Sequence, residues 1–156
     1  NEINVSKCKN LRVIDIEQAG EKFTELDLSS NDKLNSLGLE GLRGLKQLKM
    51  PETDNLKEIV VKETALESLA LEKYTKLDKV CVGGNQFDTL KINMEQKTEK
   101  DIENMYLLFD NNLKVEFISS KNGIVPNIKR LDNHNLWAGI VFSNYVVTDY
   151  EIPECW

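Results

Sequence analysis

A single histidine, His134, and three cysteines, Cys8, Cys81 and Cys155, hold the options for nucleophilic chemistry in this chain. A Cys–His pair needs proximity and an orienting carboxylate. Cys81 lies within a hydrophobic alternation, with no nucleophile motif around it. His134 lies in the polar, loop-like stretch LDNHNLW and reads as a surface residue. The cysteine spacings match neither a zinc pattern nor a dense disulfide framework, and three cysteines allow at most one bridge within the chain. Paired carboxylates recur, as in Asp15/Glu17 and Glu25/Asp27. Glycoside hydrolysis would need such a pair in a cleft with one raised pKa. Alternate positions on an open strand supply neither, so these acids read as a solvated face. There is no P-loop, dinucleotide fingerprint or EF-hand string, and GLEGLRGL reads as repeat turn. The expectation is a non-enzyme without cofactor or metal.

Composition narrows the partners. The 156 residues are 40% hydrophobic and 29% charged, with a formal net charge of −6. That balance is ordinary for a globular domain. No Lys/Arg cluster stands out, which argues against nucleic acid and anionic membrane surfaces. No apolar run reaches the length of a transmembrane helix.

The elements that must position any outward chemistry come from a repeat. The frame L-x-x-L-x-L, with any apolar residue at L, fits eight times between Leu11 and Ile92, and all 24 key positions are apolar. Its starts are Leu11, Phe23, Leu34, Leu45, Leu56, Leu66, Leu77 and Phe87. Ile3 and Val5 fit a truncated earlier frame, with Cys8 in the turn column that also holds Asn31, Thr53, Thr64, Tyr74 and Asn85.

A segment of 10 to 12 residues between frame starts holds one short strand and one turn, but no full helix. Alternate strand residues share a face, so positions 4 and 6 point inward and positions 3 and 5 outward. Two segments make a coil with a strand on each of two sides. One coil cannot bury its own face, so stability has to come from stacking. Pro51 and most glycines fall between frames, where the chain turns; Gly38 is the exception.

The segment LDKVCVGGNQF (Leu77–Phe87) fits the longer string L-x-x-L-x-L-x-x-N/C-x-L. With it, the chain resembles a leucine-rich-repeat protein. The alternating half-units, and FTELDLSSN (Phe23–Asn31) in particular, are similar to the short repeats of bacterial cell-surface proteins related to the internalins. The Asn ladder is discontinuous, with Asn kept only at Asn31 and Asn85. The resemblance covers about residues 3 to 92. It implies an α/β leucine-rich-repeat right-handed solenoid, strand-rich, exported or cell-surface, binding a protein or other macromolecule on an exposed sheet without a catalytic residue.

From Asn93 the lattice stops, and residues 93–156 are expected to form a C-terminal α+β cap on a 1–92 solenoid of about four coils. Ile102, Met105, Tyr106 and Phe109 have helical spacing, predicting a helix over about 98–110 with Thr98 at its start. LKVEFIS, WAGIVFS and YVVTDYEI read as three strands. LKVEFI puts Glu116 at an inward position and so falls outside the repeat. Because the chain starts at Asn1 and its first frame is partial, further sequence upstream is expected, including an export signal and linker.

The outward positions divide into two faces. One carries Glu25, Asp27, Gln47, Lys49, Ser68, Ala70, Thr89 and Lys91. The other carries Val13, Asp15, Ser36, Gly38, Glu58, Val60, Lys79 and Cys81, a mildly apolar strip open to being partly covered. The first is the better candidate for charge-guided protein recognition, with contacts at Glu25, Asp27, Gln47, Lys49 and Lys91. The leading expectation is thus a protein-interaction module. The alternatives are a structural spacer or assembly element of a longer surface protein, and an enzyme with its site in the C-terminal segment.

Overall fold

A computed structural model describes residues 3–110, 113–119 and 126, and the backbone of 128–130, 141–142 and 145–146. In chain order the described elements are β1 (Val13–Glu17), β2 (Glu25–Asp27), β3 (Ser36–Glu40), β4 (Gln47–Lys49), β5 (Glu58–Lys62), β6 (Lys79–Gly83) and β7 (Thr89–Asn93). After the short helix α1 (Glu99–Glu103) come β8 (Tyr106–Phe109), β9 (Lys114–Ile118), β10 (Ile128–Arg130), β11 (Val141–Phe142) and β12 (Tyr145–Val146).

Alternate segments of the chain return to the same side, and the strands there pair in parallel. One side is a six-stranded sheet, β1-β3-β5-β6-β8-β10. The other side holds the pair β2-β4 and a four-stranded sheet, β12-β11-β9-β7, in which only β11–β12 is antiparallel. The chain is therefore a strand-rich parallel solenoid of about five turns.

The register shows why the frame recurs. Ile14, Leu37, Ile59, Val80 and Leu107 stand in one ladder, and Ile16, Leu39, Val61, Val82 and Phe109 in the next but one. Both ladders point into the core, and most of their members are fully buried. None of the 24 frame positions is exposed; Leu11, Ile16, Leu48, Met50 and Phe87 are partly buried against the core. Each buried aliphatic side chain contributes roughly 1.5–3 kcal/mol relative to exposure. That gain exists only because the neighbouring coil supplies the other wall. Around residues 66–71 the expected strand is reduced to a single bridge, Leu71 to Ile92.

The corners are tied by side chains that reach one coil back. Asn31, fully buried, donates to the carbonyls of Val5 (3.1 Å) and Cys8 (3.0 Å). The Tyr74 hydroxyl donates to the carbonyl of Pro51 at 2.8 Å. Asn85 donates to the Val61 carbonyl at 2.9 Å and accepts from the Thr64 amide and hydroxyl. These bonds satisfy backbone groups that a tight corner leaves without a ladder partner. The turn column therefore works with Asn, Thr or Tyr, and does not need an unbroken run of Asn.

Three expectations for the C-terminal part are corrected. The helix spans Glu99–Glu103 only, with Thr98 and Asp101 forming its capping box. Tyr106–Phe109, assigned to the helix from its spacing, is strand β8. There the edge of β6 offers backbone partners, and the stack offers inward places for Leu107 and Phe109, which outweigh helical spacing. Second, LKVEFI does belong to the stack. Its register is one residue earlier than the frame begun at Leu113, so Val115 and Phe117 are buried and Glu116 points outward. A one-residue slip exchanges the two faces of a strand. Third, the α/β description overstates the helix content, since α1 is the one helix among the described residues. No break in the sheets falls at the 92/93 boundary: β6 pairs with β8, and β7 with β9, across it. Of the three C-terminal strands expected, β9 lies in LKVEFIS, β11 in WAGIVFS and β12 at the start of YVVTDYEI; β8 and β10 were not anticipated.

Candidate functional site

The two outward faces differ in how open they are. Every outward residue named on the first face, from Glu25 to Lys91, is exposed. On the six-stranded sheet, exposure falls from 60% at Val13 to 4% at Cys81. Cys81 does take the outward register, but Val60 and Leu108 flank it on the adjacent strands. Burial raises its thiol pKa above the ordinary value, while Lys79 and Lys62 oppose that rise. A thiol held protonated in this way is a poor nucleophile. His134 and Cys155 lie outside the described residues.

Of the five contact candidates, the fold brings four together. β2 and β4 pair so that Glu25 faces Gln47 and Asp27 faces Lys49. The Lys49 ammonium sits between two carboxylates, 3.2 Å from Glu25 Oε1 and 3.1 Å from Asp27 Oδ2. Asp27 Oδ1 in turn accepts from the Ser29 hydroxyl at 2.6 Å and the Ser29 amide at 3.0 Å. Those donors, Ser29 first and Lys49 after it, lower the Asp27 pKa to about 2. Asp27, followed by Glu25, raises that of Lys49. Lys91 stands apart on β7, in the other sheet of this side, and pairs with Glu116 of β9 at 3.4 Å.

Sequence reasoning missed the surroundings of this cluster. Ser6 donates its amide and hydroxyl to Asn4 Oδ1 at 3.1 and 2.7 Å, repeating one coil earlier the Asp27–Ser29 arrangement. The shared polar-x-Ser spacing of Asn4-Val5-Ser6 and Asp27-Leu28-Ser29 was the available signal. Between the two turns lies a cleft of about 310 Å³, with Ile3, Asn4 and Ser6 on one wall and Glu25, Asp27 and the Ser29–Ser30 pair on the other. That volume is at the small end of ligand-sized cavities.

Among the described residues no group of three or more His, Cys, Asp or Glu is placed to hold a metal ion, and no helix is long and apolar enough to cross a membrane. No family model, curated protein or solved structure matches the chain.

Proposed function

We propose that the protein is a non-enzymatic macromolecule-binding module of leucine-rich-repeat type, working outside or on the surface of a bacterial cell. The observation that carries this reading is the exposed, registered display on β2 and β4. Parallel strands hold Glu25, Asp27, Gln47 and Lys49 in fixed relation, with neighbouring strands roughly 4.8 Å apart. Such preorganisation lowers the ordering cost of binding a partner. Lys49 already pairs with both Glu25 and Asp27, so the face presents acid and base side by side. Such a face contributes register and encounter rate more than raw affinity. Lys91 with Glu116 extends the same side as a separate charged pair. A right-handed winding and a capping role for the last strands belong to this reading.

The test is a charge exchange, Asp27→Lys with Lys49→Glu. It keeps opposite charges facing each other at positions 27 and 49 and inverts them there, while removing the cation that Lys49 places against Glu25. Surface extracts passed over the wild-type and exchanged proteins should yield a partner with the first and lose it with the second. Equal capture by both would refute this face as the contact surface.

A further inference from the structure

The cleft beside β2 has a defined hydrogen-bonding inventory, and that inventory selects a ligand class. A bare cation would be drawn to Glu25 and Asp27, but its place is taken, because the Lys49 ammonium bonds both carboxylates. The two Oδ1 acceptors are also engaged: Asp27 Oδ1 receives both Ser29 donors, and Asn4 Oδ1 both Ser6 donors. What remains facing the cleft is mixed. Among the described residues the Asn4 amide group has no acceptor for its hydrogens, the Ser30 hydroxyl has no partner, and Glu25 keeps its second oxygen free. The Ser6 and Ser29 hydroxyls already donate their hydrogens within these turns and keep lone pairs as acceptors. Ile3, 38% exposed, adds an apolar surface at the same opening.

Carboxylates already bonded to Lys49 and Ser29, separate donors and acceptors, and one apolar side chain suit a polyhydroxyl ligand. Each hydroxyl of such a ligand both donates and accepts, and its C–H face packs on an aliphatic side chain. We propose that the cleft between residues 3–6 and β2 is a saccharide-binding site of one to two sugar units. Asn4 and Ser30 donate to ring hydroxyls, and Glu25 accepts from one. The site adjoins the charged face described above but does not rest on the protein-binding reading. Failure of the charge-exchange test leaves it untouched, and the reverse also holds.

The experiment is an amide-resolved NMR titration of the full chain with glucose, galactose, mannose, N-acetylglucosamine and their disaccharides, with spermidine and calcium as cationic arms. At least one neutral sugar should move the Asn4, Ser6 and Glu25–Ser30 signals saturably. Asn4→Ala and Ser30→Ala should each weaken that binding by about fivefold or more, as expected for loss of one hydrogen bond, while core amides such as those of Val61 and Val80 stay in place. The proposal is overturned if no sugar gives a saturable shift, or if both alanine variants bind as the wild type does. Tighter binding of a cation than of any sugar to the wild-type cleft overturns it too.

Discussion

Glu63 and Gly84 stand at equivalent corners of consecutive coils, both in the left-handed backbone region, with φ of 49° and 64°. Gln18 and Gly41, at φ of 52° and 69°, occupy the same corner in the two coils before them. Each amide in this column points along the stack: Gln18 to the Glu40 carbonyl, Gly41 to that of Lys62, and Glu63 to that of Gly83. At Gly84 the series ends on the Asp110 carboxylate, which takes the carbonyl's place. The corner demands one conformation, and the chain meets it twice with glycine and twice without.

That demand predicts substitutions of opposite sign. A left-handed non-glycine residue costs about 1–2 kcal/mol, so Glu63→Gly should be neutral or stabilising even though it removes the exposed ion pair with Arg43. Gly41→Ala should destabilise by about the same 1–2 kcal/mol. Urea denaturation of both variants checks the pair, and a stabilising Gly41→Ala would contradict the account.

Close approach of backbone predicts a second contrast. A Cβ built on Gly44 would lie 2.1 Å from the Glu21 carbonyl oxygen and 2.9 Å from Glu21 Cα, all backbone. One built on Gly38 would meet Asp15 Oδ1 at 2.3 Å, the far end of an exposed side chain that can swing away. Thermal unfolding should therefore show Gly44→Ala losing about 1–3 kcal/mol or more, and Gly38→Ala much less. Equal losses would show that the coils are free to separate at Gly44.

Tyr74 offers a test of the corner bonds. The residue is 1% exposed and its hydroxyl donates to the Pro51 carbonyl, and burial raises its pKa above the ordinary value. Tyr74→Phe keeps the packing and leaves the Pro51 carbonyl without this donor, at a cost of about 0.5–1.5 kcal/mol. Tyr74→Ala also empties the core, at about 3–5 kcal/mol. A chemical-denaturation series of the two variants separates the bond from the packing.

Asp27 predicts a pH dependence. Its folded pKa, about 2, lies below the ordinary 3.8. Its interactions therefore stabilise the fold fully above about pH 4 and are lost as pH falls through about 2. Carboxyl NMR should place its midpoint near 2 in the wild type and higher in Ser29→Ala, which removes the hydroxyl donor and leaves the amide. The stability difference between wild type and Asp27→Asn should shrink across the same interval. A midpoint near 3.8 in the wild type would mean that the Ser29 and Lys49 bonds do not persist in solution.

The repeat frame made the solenoid legible because burial between coils imposes the same inward pattern at every turn. From Leu11 to Ile92, all the residues that pattern marks are wholly or partly buried. It lost the thread where the spacing changed. Residues 94–104 insert α1, the next frame positions no longer begin on an apolar residue, and a frame begun at Leu113 misplaces Glu116 by one residue. Pattern matching also could not weigh an open sheet edge against helical spacing at Tyr106–Phe109. At the candidate site, sequence order put Glu25, Asp27, Gln47 and Lys49 on one face, but not Lys49 between the two acids.

By itself, then, the sequence determined the alternation: which side chains go inward, which face outward, and that coils must stack. Those properties follow from local period and composition. Tertiary structure alone decided what lies one coil away. It buried Cys81 between Val60 and Leu108, paired Lys91 with Glu116, and opened the cleft between Asn4 and Asp27. Such contacts join residues roughly 20 or more positions apart, so they are set by the exact length of each turn, which an apolar pattern with variable spacing does not specify.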